Sequence, residues 1–455
     1  LNAKKNKSKA WLWGIIALLV IVPLTILLVK RMEGEPPTLD LKMASTSLGA
    51  SQTLALDVAD PQNGIRRVWV AIFKDGKETV LLDKSFPSAN ILMGGVIREQ
   101  HIDLPVEPQA LGLKDGKAML RMVARDYSWR KWGKGNQLYQ EHEVLIDTHA
   151  PDIQVLSPAL NLNQGGSGVV VYKLSEDCPT SGVSVGDDFY PGFGDYFKES
   201  LTRLAFIGLN HRQGADTRLV ITATDFAGNQ GRAGLPCHIN AKRFRRDKIP
   251  ISDNFLNWKM PEFVSQVDAA PGAPLVDVFL KVNRDLRRKN YEQIVKATSK
   301  SEARMYWKGA FLRLPHAANR AGYADHRKYL YKSKNIDEET HLGMDLASLE
   351  HSPVPAANSG KVVHADSIGI YGRTVIIDHG FGLFSLYAHL SKIDVTPGQM
   401  VSQGDILGLT GKSGLAGGDH LHFSMLVHHT FVNPIEWWDS QWIQNNIRSK
   451  LGSQQ

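Results

Sequence analysis

Cysteine is nearly absent from this chain: Cys178 and Cys237 are the only two among 455 residues. They allow one disulfide at most, which suits an exported protein, and two unpaired buried thiols fit the same sequence. A basic stripe is missing as well. The formal charge is +7, yet Lys and Arg are not gathered on one segment, so nucleic acid is not indicated. The mild excess is what ordinary surface residues give, and it also suits anionic cell-envelope surroundings. A phosphate loop is excluded too. Gly411-Lys412-Ser413 invites that reading, but Ile406 stands where the motif needs glycine and no helical pattern follows. The glycine-rich stretch 408–418 is left as a loop flanking a groove or as a plain hairpin turn.

The N-terminus lacks a small-residue cleavage site. Lys4, Lys5, Lys7 and Lys9 precede an uncharged run from Trp11 to Val29, which passes directly into Lys30-Arg31-Met32-Glu33. At ~1.5 Å per residue this run spans close to the ~30 Å hydrocarbon core. It reads as an uncleaved signal anchor over 11–29, with the lysines holding residues 1–10 in the cytoplasm. Pro23 is tolerable in a membrane helix. A cleaved signal peptide, the alternative, also leaves the rest outside the cytoplasm. Leu1 in place of Met suggests a non-standard start codon read literally, or a missing first residue.

The length predicts about three domains, and the pattern predicts a mainly β fold. From 39 to 149 short strands such as Thr53–Val58, Arg67–Phe73 and Ala118–Ala124 alternate with turns, as in an antiparallel β-sandwich. A second sandwich is expected over 150–242. Val123-Ala-Arg-Asp-Tyr-Ser128 and Thr222-Ala-Thr-Asp-Phe-Ala-Gly-Asn229 look like copies, each near the end of its region. The second string resembles the last strands of bacterial immunoglobulin-like domains, although no Trp lies between the cysteines as antibody-type domains require. These modules are expected to serve as spacer, partner-binding arm or lid. A helical connector is expected over 243–306, because Val276, Phe279, Leu280, Leu286, Ile294 and Val295 recur at helical spacing in a stretch free of Gly and Pro. A strand-rich domain over 307–440 and a tail over 441–455 complete the chain. Trp437 and Trp438 are read as core residues closing that domain.

Chemistry gathers in the last third. His420-Leu421-His422 lies in a strand-like run, so its two rings project from one face. His341-Leu-Gly-Met-Asp345 supplies an imidazole and a carboxylate, and Gly343 favours a loop over an unbroken helix. One member of the histidine pair completes a set of three nitrogen and oxygen ligands. Zinc in hydrolytic sites is held by three such ligands with a fourth position open, though ligand type alone leaves manganese and iron possible.

His341-Leu-Gly-Met-Asp345, Leu386-Tyr-Ala-His-Leu390 and His420-Leu-His422 resemble, in this order, the signature segments of the lysostaphin/LytM-type zinc metallopeptidases, peptidase family M23. Val375-Ile-Ile-Asp-His-Gly380 and the glycines 398, 404 and 408 look like that family too. The resemblance covers about 311–438. It implies that His341, Asp345 and His422 hold Zn2+ and that His389 and His420 are the catalytic histidines. It further implies an endopeptidase acting on the peptide part of bacterial peptidoglycan; with the signal anchor, the expectation is an enzyme anchored in the inner membrane and facing the periplasm or cell exterior. Alternatives are a non-catalytic M23-like regulator of other wall hydrolases and an enzyme autoinhibited by its N-terminal domains. A regulatory protein partner for the sandwiches is a further expectation.

Overall fold

The computed structural model describes residues 6–43 and 45–452; Leu1, Lys4 and Lys5 lie outside the described residues. The chain is mainly β with one long N-terminal apolar helix. It divides into two compact units. The first runs to Ala150 and includes Thr224–Gln230; the second comprises Pro151–Ala223 and the chain from Gly231 onward.

The first unit opens with helix α1 (Asn6–Arg31), in which 21 residues from Trp11 to Arg31 are long and apolar enough to cross a membrane. Beyond it, Thr38–Lys42, Gln52–Ala59 and Glu99–Val106 form one sheet, and Ile65–Lys74, Lys77–Ser85, Gly116–Asp126, Gln137–Ile146 and Ser47–Leu48 another. Alternation decides which side chains turn inward. Along Gly116–Asp126 the buried apolar positions are Ala118, Leu120, Met122 and Ala124, and they share one core with Leu54, Leu56 and Val58. An Asp from each copied string organises the same hydrogen-bond pattern, to an Asn 10 residues on in the first and 4 residues on in the second. Asp126 accepts from the backbone N–H groups of Ser128 and Asn136 and from the Asn136 amide. Asp225 accepts from Ala227 and Asn229 N–H and from the Asn229 amide. Each Asn amide then donates to the carbonyls of an incoming segment, Glu33 and Glu35 in one case, Asp147 and His149 in the other.

The second unit has one continuous core from Leu160 to Leu451. The sheet of Ile153–Val155, Ser167–Leu174 and Thr202–Gly208 therefore does not stand apart from the C-terminal domain. Phe206 packs its ring against Trp307 and Trp437. The buried Glu436 carboxylate accepts from Ser167 N–H at 2.9 Å and from the Asn163 amide at 2.8 Å. Trp437 is fully buried among Phe206, Trp307, Phe311 and Trp442, and Trp438 stacks on Phe423. Among the described residues no disulfide joins Cys178 and Cys237, and both are half-buried thiols.

The stretch expected as a helical connector holds a short helix, Asp253–Lys259, and is helical over 275–297: α2 (Leu275–Lys281), a π turn (Val282–Leu286) and α3 (Arg287–Ala297). Phe279, Leu286 and Ile294 are buried while Val276, Leu280 and Val295 are half-buried. The same stretch also holds a strand, Arg246–Ile251, which pairs in parallel with His326–Tyr331. The segment beyond 440 differs from a tail. Its helical turns bury Ile443, Ile447 and Leu451, spaced four apart and so on one face, into the core.

The C-terminal sheet positions the site. Its strands, with those of the small neighbouring sheet, are β1 (Ala318–Ala321), β2 (His326–Tyr331), β3 (Lys334–Thr340), β4 (Met344–Ala347), β5 (Gly360–Ile368), β6 (Gly372–Gly380), β7 (Leu383–Leu390), β8 (Met400–Val401), β9 (Leu421–Val427) and β10 (Thr430–Val432). The order is β1-β4-β9-β7-β6-β5-β8, with β10 on β9; in the small sheet β2 pairs with Arg246–Ile251 on one side and with β3 on the other. Strands β7 and β9 are buried at every residue, which explains their near-continuous apolar sequence.

Candidate metal centre

Cross-strand register brings the distant motifs together. Asp345 of β4 lies opposite His422 of β9, and His422 lies opposite Ala388 of β7, one residue before His389. His341 sits in the turn between β3 and β4. Gly343 keeps that turn open: a Cβ there would come within 2.6 Å of the His422 ring and 2.5 Å of Ser424 Oγ. His341 Nε2, Asp345 Oδ1 and His422 Nδ1 lie 2.9 to 3.0 Å from one another, all buried.

The surrounding hydrogen bonds state which of these atoms carry protons. His341 Nδ1 is 2.8 Å from the Gly322 carbonyl. A carbonyl only accepts, so Nδ1 bears the hydrogen and Nε2 is bare. Ser424 Oγ donates its single proton to the Leu342 carbonyl at 2.9 Å and stands 3.0 Å from His422 Nε2. His422 Nε2 must then be the donor to Ser424, which leaves its Nδ1 bare. With both rings neutral, three lone-pair atoms thus converge with no proton between them, an arrangement that repels itself and that a proton or a metal cation relieves. The donor set and the buried partner groups fit zinc, which takes His and Asp ligands at ~2.0–2.2 Å and whose histidines are oriented through their other nitrogen. The second carboxylate oxygen is held as well: Arg327 donates to Asp345 Oδ2 at 2.9 Å.

The remaining two histidines flank this group. His420 Nε2 is 3.6 Å from Asp345 Oδ1, so His420 and His422 do face the same side. Its Nδ1 donates to the Gly418 carbonyl at 2.8 Å. His389 donates from Nδ1 to the Ser413 carbonyl at 2.8 Å, and its ring centre lies 4.9 Å from that of His420 and 5.8 Å from that of His422. In its neutral form each therefore keeps a bare Nε2. His389 adopts φ of 64°, a left-handed conformation that costs a non-glycine residue about 1–3 kcal/mol and recurs at functional sites.

Burial works to raise the Asp345 carboxyl, but the charge and N–H groups that His341, His420 and His422 present when protonated hold it well below the usual carboxylate range. Burial pulls His422 down to about 4. It also holds His389 well below its ordinary value, with His420 and His422 adding to the effect. For His420 burial pulls the same way, yet the hydrogen bond and charge of Asp345 prevail and its net shift is upward. Two neighbouring imidazoles are thus biased to opposite protonation states.

These residues line a cavity of about 150 Å³, with Arg287 from α3, Tyr371 and the 415–417 loop among its walls. The glycine-rich stretch therefore does flank the groove. Arg327 and Ser424 were not singled out by sequence. Ser424 had a signal, since it follows His422 by two residues on the same face of β9; Arg327 had none. His379 is structural: it is fully buried, with Nδ1 on the Ser359 carbonyl and Nε2 on Ser385 Oγ. Asp366, Asp378 and Asp419 bond elsewhere: Asp378 to Ser301, Glu302 and Gly380, Asp366 to Ser367, Asp419 to His351.

Residues 339–434 match the family model described as Peptidase family M23. They form an M23 peptidase domain. All five histidine and aspartate positions of the cavity fall inside it. Over 95 residues the chain is 36% identical to the DD-carboxypeptidase/endopeptidase Mpg of Neisseria meningitidis, and over 96 residues 38% identical to the peptidoglycan DD-endopeptidase ShyA of Vibrio cholerae. Each match covers 21% of this chain and 22% of the relative. The likeness to those curated relatives thus spans about a fifth of their length. The catalytic domain of lysostaphin from Staphylococcus simulans is 28% identical, with 29% of this chain and 98% of that one covered at a TM-score of 0.25.

Proposed function

We propose that this chain is a membrane-anchored zinc metalloendopeptidase that hydrolyses amide bonds in cross-links or stem peptides of bacterial peptidoglycan. The observation that carries the reading is the convergence of three bare ligand atoms, from His341, Asp345 and His422, beside two uncoordinated imidazoles. The M23 match and the names of the similar proteins support the substrate class. Zinc, when bound, supplies a Lewis acid and brings the pKa of water to about 7. His341 Nε2, Asp345 Oδ1 and His422 Nδ1 would hold it. Arg327 keeps Asp345 turned toward the two rings by gripping its other oxygen. His389 and His420 present Nε2 atoms that are bare when the ring is neutral and carry a proton when it is charged, which suits them to take a water's proton and to protonate a leaving amine. Their Nδ1 bonds to the Ser413 and Gly418 carbonyls fix tautomer and ring angle, so no reorientation is needed during the reaction. In its charged form either ring also stabilises negative charge developing on the substrate carbonyl oxygen. In this reading α1 is an uncleaved anchor of the inner membrane, and the M23 domain faces the periplasm or cell exterior.

The test uses the whole chain. His389→Ala and His420→Ala should each retain one zinc per chain and lose release of soluble fragments from cross-linked peptidoglycan by 10²-fold or more, on the order expected for a general acid or base. Variants that keep wild-type turnover with zinc bound contradict the proposed roles.

A further inference from the structure

We infer that two loops of the first unit, residues 90–96 and 129–134, dock into the headgroup layer of an anionic phospholipid bilayer beside α1. The inference rests on reading α1 as a membrane anchor. Three hydrogen bonds tie the second loop and the neighbouring Asn63 to the end of that helix, and a fourth joins the two loops. Trp129 N–H donates to the Arg31 carbonyl at 2.7 Å, the Arg130 Nε to the Met32 carbonyl at 2.9 Å, and the Asn63 amide to the Lys30 carbonyl at 3.1 Å. Trp129 Nε1 then donates to the Ile91 carbonyl at 3.2 Å, linking the second loop to the first. The apolar run ends at these same residues, so both loops sit where a spanning helix leaves the hydrocarbon.

Their side chains suit that depth. Ile91, Leu92 and Met93 form the tip of a hairpin between Ser88–Asn90 and Gly94–Gly95, and are 78%, 56% and 67% exposed. Val96 is 55% exposed, and Trp132 projects with nothing covering it. The tip is held in shape: Asn90 Oδ1 accepts from Leu92 N–H and Met93 N–H at 2.9 and 2.8 Å, and Ser88 Oγ donates to the Gly94 carbonyl at 3.1 Å. Lys131 and Trp132 adopt left-handed φ of 50° and 58°, an uncommon way to present a tryptophan. Three consecutive exposed apolar residues are a fault on a surface facing water unless they serve a purpose. Around them Arg130, Lys131 and Lys134 are exposed. Tryptophan and aliphatic side chains ringed by Lys and Arg are what a lipid–water boundary accepts, and an anionic surface attracts the cations. Docking would hold the first unit against the membrane at several points instead of one.

The test places an environment-sensitive fluorophore on the full chain, in vesicles of phosphatidylethanolamine and phosphatidylglycerol, in a Cys178→Ser/Cys237→Ser background. Single labels go in through Leu92→Cys, Met93→Cys, Ile26→Cys within α1, and Val80→Cys, which is exposed on Lys77–Ser85. Lipids carrying a shallow spin-label quencher should extinguish most of the signal at 92, 93 and 26, and leave 80 bright. If 92 and 93 behave like 80 while 26 is quenched, the helix is in the bilayer and the docking is overturned, leaving the tip for a protein partner. If 26 also stays bright, the anchor reading fails and takes the docking with it.

Discussion

Two hydrogen bonds made away from the cation site decide which nitrogen of each liganding ring is bare. His341 spends its proton on the Gly322 carbonyl, and His422 spends its own on Ser424, whose hydroxyl is already committed to Leu342. Arg327 acts similarly on Asp345. Arg327→Gln should therefore leave the fold intact and weaken zinc binding ~10–100-fold, the usual size of such an effect, in a competition titration against a chromogenic chelator. Unchanged affinity would mean that the arginine does not position the carboxylate. Four of the five sequence-expected residues were legible because their spacings are local, HxxxD and HxH; His389 was legible only through the resemblance of Leu386-Tyr-Ala-His-Leu390 to a family segment. Arg327 was not, because its relation to Asp345 exists only once β2 lies beside β4. His379 carries a pH prediction. Burial takes its pKa from 6.5 down to about 4, so the unfolded chain binds the proton more readily. Its contribution to stability is complete above pH 6.5 and is lost as pH falls toward 4, at about 1.4 kcal/mol per unit. Urea midpoints at pH 7.5 and 5 should fall toward acid, and His379→Gln should flatten that slope by one proton.

At the scale of elements, the site is made by register. Asp345 opposite His422, and His422 opposite Ala388, bring three sequence segments within one cavity width. A slip of one residue in β9 would turn both histidines to the other face. The turn entering β4 has little room, and Gly343→Ala forces a methyl against the His422 ring. That variant should lose metal binding while its far-ultraviolet circular dichroism remains that of the parent; full metal content would show that the turn yields. Helical periodicity over 275–297 was readable, since Phe279, Leu286 and Ile294 are the buried positions. The π turn was not. It adds a residue to one turn, so Asn283 and Asn290 end up buried, with Asn283 bonded to Asp337 and Asn290 to the Ile370 N–H.

On the scale of the molecule, mainly β architecture and an M23 domain at the C-terminal end could be anticipated from strand alternation and the three motifs. The sharing of one core by 160–240 and 307–451 could not. Alternating strands reveal that they have a buried face and say nothing about which neighbour buries it. The contacts of Phe206 with Trp437 and of Glu436 with Ser167 carry a consequence for dissection. A fragment of residues 300–455 would expose Trp437 and leave Glu436 without its donors. It should unfold at lower urea than the whole chain, and Glu436→Ala, which orphans the Ser167 N–H, should cost the whole chain about 1–3 kcal/mol. Equal midpoints for fragment and parent would show the shared core to be dispensable.

The proposed function requires that His341, Asp345 and His422 hold a zinc ion and that the chain hydrolyses amides. The direct measurement is elemental analysis of the purified full chain before and after chelation, paired with mass spectrometry of products from cross-linked peptidoglycan. The account predicts one zinc per chain, newly freed amine and carboxyl ends, loss of both on chelation or in His422→Ala, and recovery in the chelated wild type on adding zinc. A folded chain that binds no zinc, or that cleaves equally well after chelation and in His422→Ala, would contradict it.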